Sequence, residues 1–184
     1  MDLYKKSLDE TKIEYSSKGL NFDTVNSFYD YVIDYFDTAD YSPKWKKGIY
    51  PYEKMLRDAI ENETMHVMLY NGEIISAGIL DRHYVKGYED VPWDKSASLA
   101  ESLMLHAFCV SPKFMRQGLA KRMLAYFENY AKKQGFLALR LDVIDGNLPA
   151  LKLYPSAGYK YVCSLELYYE DTGKTLYHMY EKLL

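Results

Sequence analysis

Residue types and spacing carry the most chemistry in the stretch Phe108-Cys109-Val110-Ser111-Pro112-Lys113-Phe114-Met115-Arg116-Gln117-Gly118-Leu119-Ala120-Lys121. An apolar run ends at Ser-Pro, the chain turns, and a helical pattern opens at a glycine followed closely by a small residue. Proline cannot donate to a central ladder, so it ends the strand. The opening residues of a helix leave backbone N–H groups unpaired and lie at the positive end of its macrodipole. A phosphate fits there, and glycine or alanine lets it come close to the main chain. Arg116 and Lys121 add positive charge. The other reading is a plain strand–turn–helix whose glycine only shapes the turn. The loops Gly-x-x-x-x-Gly-Lys-Ser/Thr and Gly-x-Gly-x-x-Gly are both absent, so an NTPase and a Rossmann dinucleotide fold lose their main support.

Hydrophobic period gives the elements that must position this loop. Asp23 is placed to cap a helix starting at Thr24, with Val25, Phe28, Tyr29, Val32, Ile33 and Phe36 at helical spacing. A second helix is expected over residues 52–61. Residues 65–70 and 73–80 then read as strands joined by Asn71-Gly72, because a type I′ turn needs two residues that tolerate positive φ. Residues 86–98 read as a loop and 100–110 as the strand that feeds the turn. Residues 118–134 carry the helical stripe Leu119, Met123, Leu124, Phe127 and Ala131, with Gly135 as the stop. Residues 137–143 read as a strand, and Asn147 caps a short helix through Tyr154. Strands over 159–169 and 175–183 close the chain, and a short strand near 3–8 would open it. The order (β)ααβββαβαββ implies an α/β (α+β) fold, a mixed central sheet flanked by helices, in a single domain over residues 1–184.

Arg116-Gln117-Gly118-Leu119-Ala120 after a Val-Ser-Pro strand end resembles the acetyl-CoA signature of the GCN5-related N-acetyltransferases (GNAT). Downstream, Asn147-Leu148-Pro149-Ala150-Leu151-Lys152-Leu153-Tyr154, followed by Gly158-Tyr159, is similar to that family's second signature. The two motifs stand in family order, separated by one amphipathic helix and one strand. The resemblance implies an enzyme that moves an acetyl group from acetyl-CoA to a primary amine of a small molecule or peptide, by direct attack in a ternary complex and without a metal. It also implies roles. Backbone N–H groups from Arg116, Gln117, Gly118, Leu119, Ala120 and Lys121 would hold the pyrophosphate. Phe108, Cys109 and Val110 would pair through their main chain with the pantetheine arm, in a slot where this strand splays from the next. Asn147 would contact the cofactor, and Tyr154 would protonate the departing thiolate.

Elementary chemistry is consistent with these roles. Charge on the thioester oxygen can be met by a preorganised N–H, typically worth a few kcal/mol. A thiol pKa lies near 8.5 and a tyrosine near 10, so a positioned tyrosine can return a proton to the thiolate. Three residues depart from the family pattern. Met115 stands where Arg or Gln is common, which leaves the phosphates to backbone donors. Pro155 disfavours helix at Tyr154, so the helix is expected to end there. Met104 stands where some members carry a glutamate base. His106 is the natural substitute, since strand alternation puts it on one face with Met104, Phe108 and Val110. The alternatives are a histidine satisfied inside the sheet, with ordered water taking the amine's proton.

Composition bounds the remaining choices. With 184 residues, 48% hydrophobic, 27% charged and a net charge of -3, nothing calls for nucleic acid or an anionic membrane as a partner. Cys109 and Cys163 have no metal-ligand or redox spacing, so both read as small apolar residues. The first residues lack the apolar stretch of a signal peptide, and no run is long enough to span a bilayer, so a cytoplasmic location is expected. The family resemblance makes a homodimer reasonable. The chain has 20 tyrosines. Trp45, Tyr50, Tyr52, Tyr84, Trp93, Tyr168 and Tyr169, with Asp37, Asp40, Glu53, Asp81 and Asp94 nearby, suit a cationic amine and are equally ordinary in an acidic, tyrosine-rich chain. A domain that binds acetyl-CoA as a sensor, without turnover, is the alternative function. Tyr154 argues against it, whereas Pro155 and the missing glutamate argue for it.

Overall fold

The computed structural model describes residues 8–39 and 41–184. Its strands are β1 (Ile13–Ser16), β2 (Met65–Tyr70), β3 (Glu73–Asp81), β4 (Ser102–Val110), β5 (Ala138–Ile144), β6 (Lys160–Tyr169) and β7 (Gly173–Leu183). Its α-helices are α1 (Phe22–Phe36), α2 (Glu53–Glu61), α3 (Leu119–Lys133) and α4 (Leu148–Ser156). The strands form one sheet in the order β1-β2-β3-β4-β5-β7-β6. Neighbours are antiparallel except β4 and β5, which run parallel because α3 crosses between them. The mixed sheet expected from the sequence is thus present, with helices on both faces.

Several boundaries move for local reasons. The strand placed near residues 3–8 falls almost wholly outside the described residues, and β1 lies further along. Asn21, not Asp23, caps α1: its side-chain oxygen accepts from the Thr24 N–H at 3.0 Å, so the helix starts a residue before Asp23. A 3-10 turn over Leu99–Glu101 delays β4 to Ser102, and another at Tyr88–Asp90 interrupts the expected loop. Asn71 and Gly72 take φ of 49° and 78°, the left-handed pair that the β2–β3 hairpin requires.

Leu103, Leu105, Phe108 and Val110 pack with α3 and α4 on one face of the sheet. Val25, Tyr29 and Val32 of α1 and Leu56 of α2 cover the other, against Ala77, Ile79, Ala107 and Cys109. Beneath residues 82–101, Met104 joins Ile144, Tyr177 and Met179. The guanidinium of Arg140, on β5, is fully buried. It donates to Glu181 at 2.7 Å and to the Ala97 carbonyl at 2.7 Å, and it stacks over Trp93, so it ties that loop to the sheet.

Two features open the sheet at its centre. β4 and β5 pair only through Ser102↔Ala138, Leu103↔Leu139 and Met104↔Arg140. Beyond Met104 the strands part. At the same place β4 carries a bulge: Ile79 pairs with His106 and Ala77 with Cys109, so Ala107 and Phe108 together face Gly78. Ala107 has a left-handed φ of 48°, and its carbonyl accepts from the buried Tyr29 hydroxyl at 2.9 Å. A bulge bends its strand and sharpens the twist, which carries the end of β4 away from β5. Gly78 makes room on the opposite strand, since a Cβ there would lie 2.9 Å from the Phe127 ring.

Candidate active site

The turn after β4 reaches the start of α3 by way of left-handed residues. Arg116 has φ of 62° and Gly118 has 75°. Gly118 is the N-cap of α3 and supplies no side-chain cap. The first bond back along the helix is from Arg122 N–H to the Gly118 carbonyl, at 3.2 Å. The N–H groups of Leu119, Ala120 and Lys121 therefore have no carbonyl within the helix to meet. A Cβ on Gly118 would meet nothing within 4 Å, so space in front of these donors is open. Three donors without a helical partner at the positive end of a helix of 15 residues, with open space beside Gly118, fit the pyrophosphate of coenzyme A.

This helix start forms one end of a cleft of about 1000 Å³ that runs along the gap between β4 and β5. His106, Phe108, Cys109, Val110, Arg116, Gly118, Leu119, Ala120, Lys121, Asn147 and Tyr154, scattered in the sequence, all line it. Gln117 does not, and its amide oxygen is buried without a hydrogen-bond partner among the described residues. On the β5 side, the edge of β4 has no neighbouring strand past Met104 among the described residues, which leaves main-chain groups for an extended arm. Asn147 caps α4 by accepting from Ala150 N–H at 3.4 Å.

Tyr154 is 6% exposed, with its ring against Tyr159 and Tyr180 at centroid distances of 5.5 and 6.0 Å. α4 does not end at Tyr154 as expected from Pro155 but runs on to Ser156. Pro155 sits in the last turn, where the helix loses only the bond it would have donated to Leu151. Ala157 and Tyr159 still donate, to the carbonyls of Leu153 and Tyr154. Burial, and then the negative charge of Asp142, push the Tyr154 phenol above its ordinary 10.0. It therefore keeps its proton at neutral pH.

His106 does not share a face with Phe108 and Val110. The bulge at Ala107 reverses the alternation, so Phe108 stacks edge-on against Phe127 of α3 while His106 points to the α1/α2 side. There its Nε2 lies 2.9 Å from the His83 carbonyl and 3.4 Å from Asp81 Oδ1. Burial alone would lower the imidazole pKa. The hydrogen bond and charge of Asp81, the charge of Asp142 and the His83 carbonyl outweigh it, and the pKa is raised above 6.5. Burial pushes the buried Cys109 thiol up, so it stays protonated.

A second cavity, of about 530 Å³, meets the cleft at Tyr50, His106, Tyr169 and Asp171. Of the aromatic residues singled out in the sequence, Trp45, Tyr50 and Tyr169 reach the cleft and Tyr52 and Tyr84 line the second cavity. Trp93 covers Arg140 instead, and Tyr168 is 72% exposed. Asp40 lies outside the described residues. Sequence reading missed Asp142, Asp171 and Tyr177. Asp142 accepts from the hydroxyls of Tyr88 and Tyr169 in the floor of the cleft. Its sign in the sequence was a carboxylate that alternates with Arg140 inside the strand Ala138–Ile144, where a buried charge must have partners. Among the described residues no helix is long and apolar enough to cross a membrane. No group of three or more His, Cys, Asp or Glu is placed among them to hold a metal ion.

Comparison with known proteins agrees with this geometry. Over 72 residues the chain is 33% identical to a [ribosomal protein bS18]-alanine N-acetyltransferase of Haemophilus ducreyi, covering 39% of this chain and 50% of that protein. The match thus spans half the length of this curated relative. The fold is similar to that of an acetyltransferase of the GNAT family from Streptococcus pneumoniae (TM-score 0.67, 16% identity, 94% of this chain and 99% of that one). It is also similar to that of the ribosomal-protein-alanine N-acetyltransferase of Brucella melitensis (TM-score 0.64, 14% identity, 94% and 99%). The model of the acetyltransferase (GNAT) family matches residues 26–159. That span runs from α1 past α4 and takes in the helix start, the parted strands and Tyr154, and the chain belongs to this family of acetyl-CoA-dependent N-acetyltransferases.

Proposed function

We propose that the chain catalyses direct transfer of the acetyl group to a primary amine in a ternary complex, with Tyr154 as general acid. The observation that carries this reading is the convergence of three features on one cleft: the uncapped start of α3, the parted edges of β4 and β5, and the phenol of Tyr154. When bound, acetyl-CoA supplies a thioester as acetyl donor. The N–H groups at the start of α3 hold its phosphates, aided by Arg116 and Lys121. Phe108, Cys109 and Val110 offer main-chain groups to the pantetheine arm, and Asn147 borders the same arm. Tyr154, kept protonated by burial, returns a proton to the thiolate sulfur. His106, held by Asp81, accepts a proton from the amine side, directly or through water. The reaction is placed in the cytoplasm, in one domain over residues 1–184, and a homodimer is compatible with it. A sensor without turnover has less support, since it gives a buried phenol lining the cleft no task. The relatives' names make a peptide N-terminus one candidate acceptor and a small-molecule amine the other.

Tyr154→Phe tests the reading. Removing the hydroxyl should lower kcat by roughly 10²–10⁴-fold, the usual range for a lost acid–base group, with acetyl-CoA affinity by calorimetry nearly unchanged. A near wild-type rate, measured where chemistry limits turnover, removes the residue from the mechanism.

A further inference from the structure

The cleft and the second cavity together are segregated by charge. At one end are Arg116 and Lys121, beside the open start of α3. At the other, the lining holds carboxylates, with no lysine or arginine in the second cavity. Not all of these carboxylates are available. Asp81 is paired with His106, and Asp58 with Lys54. Asp142, Glu170 and Asp171 form no ion pair among the described residues.

Asp171 is the most telling of the three. It borders both cavities and is only 7% exposed, yet no side chain among the described residues hydrogen-bonds to it. Burial raises its pKa; main-chain N–H groups and the charge of Lys46 offset this only in part, and Asp142 adds repulsion. The hydrogen bonds to Asp171 come from main-chain N–H groups, and no ion pair among the described residues balances its charge, so a bound cation can recover part of the free energy that burial costs. Around it stand tyrosine rings: Tyr50 lies 6.3 Å from Tyr169, and Tyr169 lies 5.0 Å from Tyr177, centroid to centroid. Such walls accept methylene groups and stabilise an ammonium over their faces. A neutral peptide backbone would leave the carboxylate without a counter-charge.

We infer that the acceptor is an aliphatic amine bearing a second positive charge, and that Asp171, with Glu170 at the mouth and Asp142 in the floor, holds that second charge. One ammonium rests against these carboxylates within the tyrosine walls, and the other nitrogen reaches the gap between β4 and β5. This substrate class rests on the acetyl-transfer reading above. In the step, the nitrogen lone pair forms the new C–N bond, the C–S bond breaks, the thiolate takes a proton from Tyr154, and the amine's surplus proton leaves through His106 or water.

Initial rates with 1,5-diaminopentane, pentylamine and an alanine-started tripeptide test the inference, alongside calorimetry with acetyl-CoA. The diamine should exceed pentylamine in kcat/KM by at least about tenfold, mostly through KM, because charge-assisted contacts lie in this range. Asp171→Asn should collapse that ratio toward one while acetyl-CoA still binds. Glu170→Gln, at an exposed position, should lower it partially and serves if the buried substitution fails to fold. If acetyl-CoA binds and transfer occurs, but pentylamine or the tripeptide is used as well as the diamine, the dication assignment is wrong. If acetyl-CoA does not bind wild type, the acetyl-transfer reading itself falls, and the inference with it.

Discussion

The pair His106–Asp81 shows how one contact sets a protonation state. Burial disfavours charge on both partners, but their hydrogen bond and attraction prevail: His106 is raised above 6.5 and Asp81 is lowered below 3.8. The raised histidine stabilises the fold fully below pH 6.5, and that contribution is lost as pH climbs through its folded pKa. The lowered aspartate contributes above pH 3.8 and is lost as pH falls through its own folded value. Titration of the His106 ring by NMR should show a pKa above 6.5 in wild type and a clear fall in Asp81→Asn. An unchanged value there would mean that Asp81 does not set it. In the proposed reaction, a His106 base with a raised pKa needs higher pH to reach its neutral form. The pH–rate profile should therefore rise through a value above 6.5, and His106→Ala should cost less than about 100-fold if water can replace the ring.

At the level of elements, the opening of the active cleft traces to one extra residue in β4. Opposite the bulge, Gly78 leaves room for the Phe127 ring and the Leu105 side chain on the sheet face. A methyl group at position 78 would lie 2.9 Å from the Phe127 ring, which is fully buried and packed against Phe108 and His66, so it has little freedom to move aside. Gly78→Ala should destabilise the protein by about 1–3 kcal/mol through overpacking, measured by urea unfolding. A neutral result would show that α3 can slide over the sheet. The same element logic covers α4. Pro155 removes one helical bond in the last turn, a place where the helix is ending anyway, and the Tyr154 ring is held by Tyr159 and Tyr180 instead.

Across the whole molecule, ligand and fold stability are coupled. Acetyl-CoA that binds only the folded state should stabilise it by about 2.7 kcal/mol at a concentration 100 times Kd. For a chain of this size that corresponds to a rise in Tm of roughly 5–10 °C. Gly118→Val should lower the unliganded Tm modestly, since a branched residue at φ of 75° is strained, and should abolish most of the ligand shift by blocking the start of α3. A full shift in the folded variant would place the phosphates elsewhere.

The residues proposed to bind by main chain were legible without coordinates. A helix start, a glycine turn and a strand end follow from local rules of capping and period, so the Gly118 loop and the order of elements along the chain could be read directly. Tyr154 was named by motif, but only packing shows why its helix survives Pro155. What local rules could not supply depends on register. A bulge leaves no mark in strand alternation, and this one turned His106 away from Phe108 and toward Asp81. Asp142 and Asp171, far apart in the chain, meet the same cleft only because β5, β6 and β7 pair in their observed order and the turn after β6 folds back over it. Side-chain chemistry is local, whereas the company a side chain keeps is set by pairings between distant segments. The loop's chemistry was therefore written in the sequence, and only the tertiary structure decided what lines the far end of the cleft.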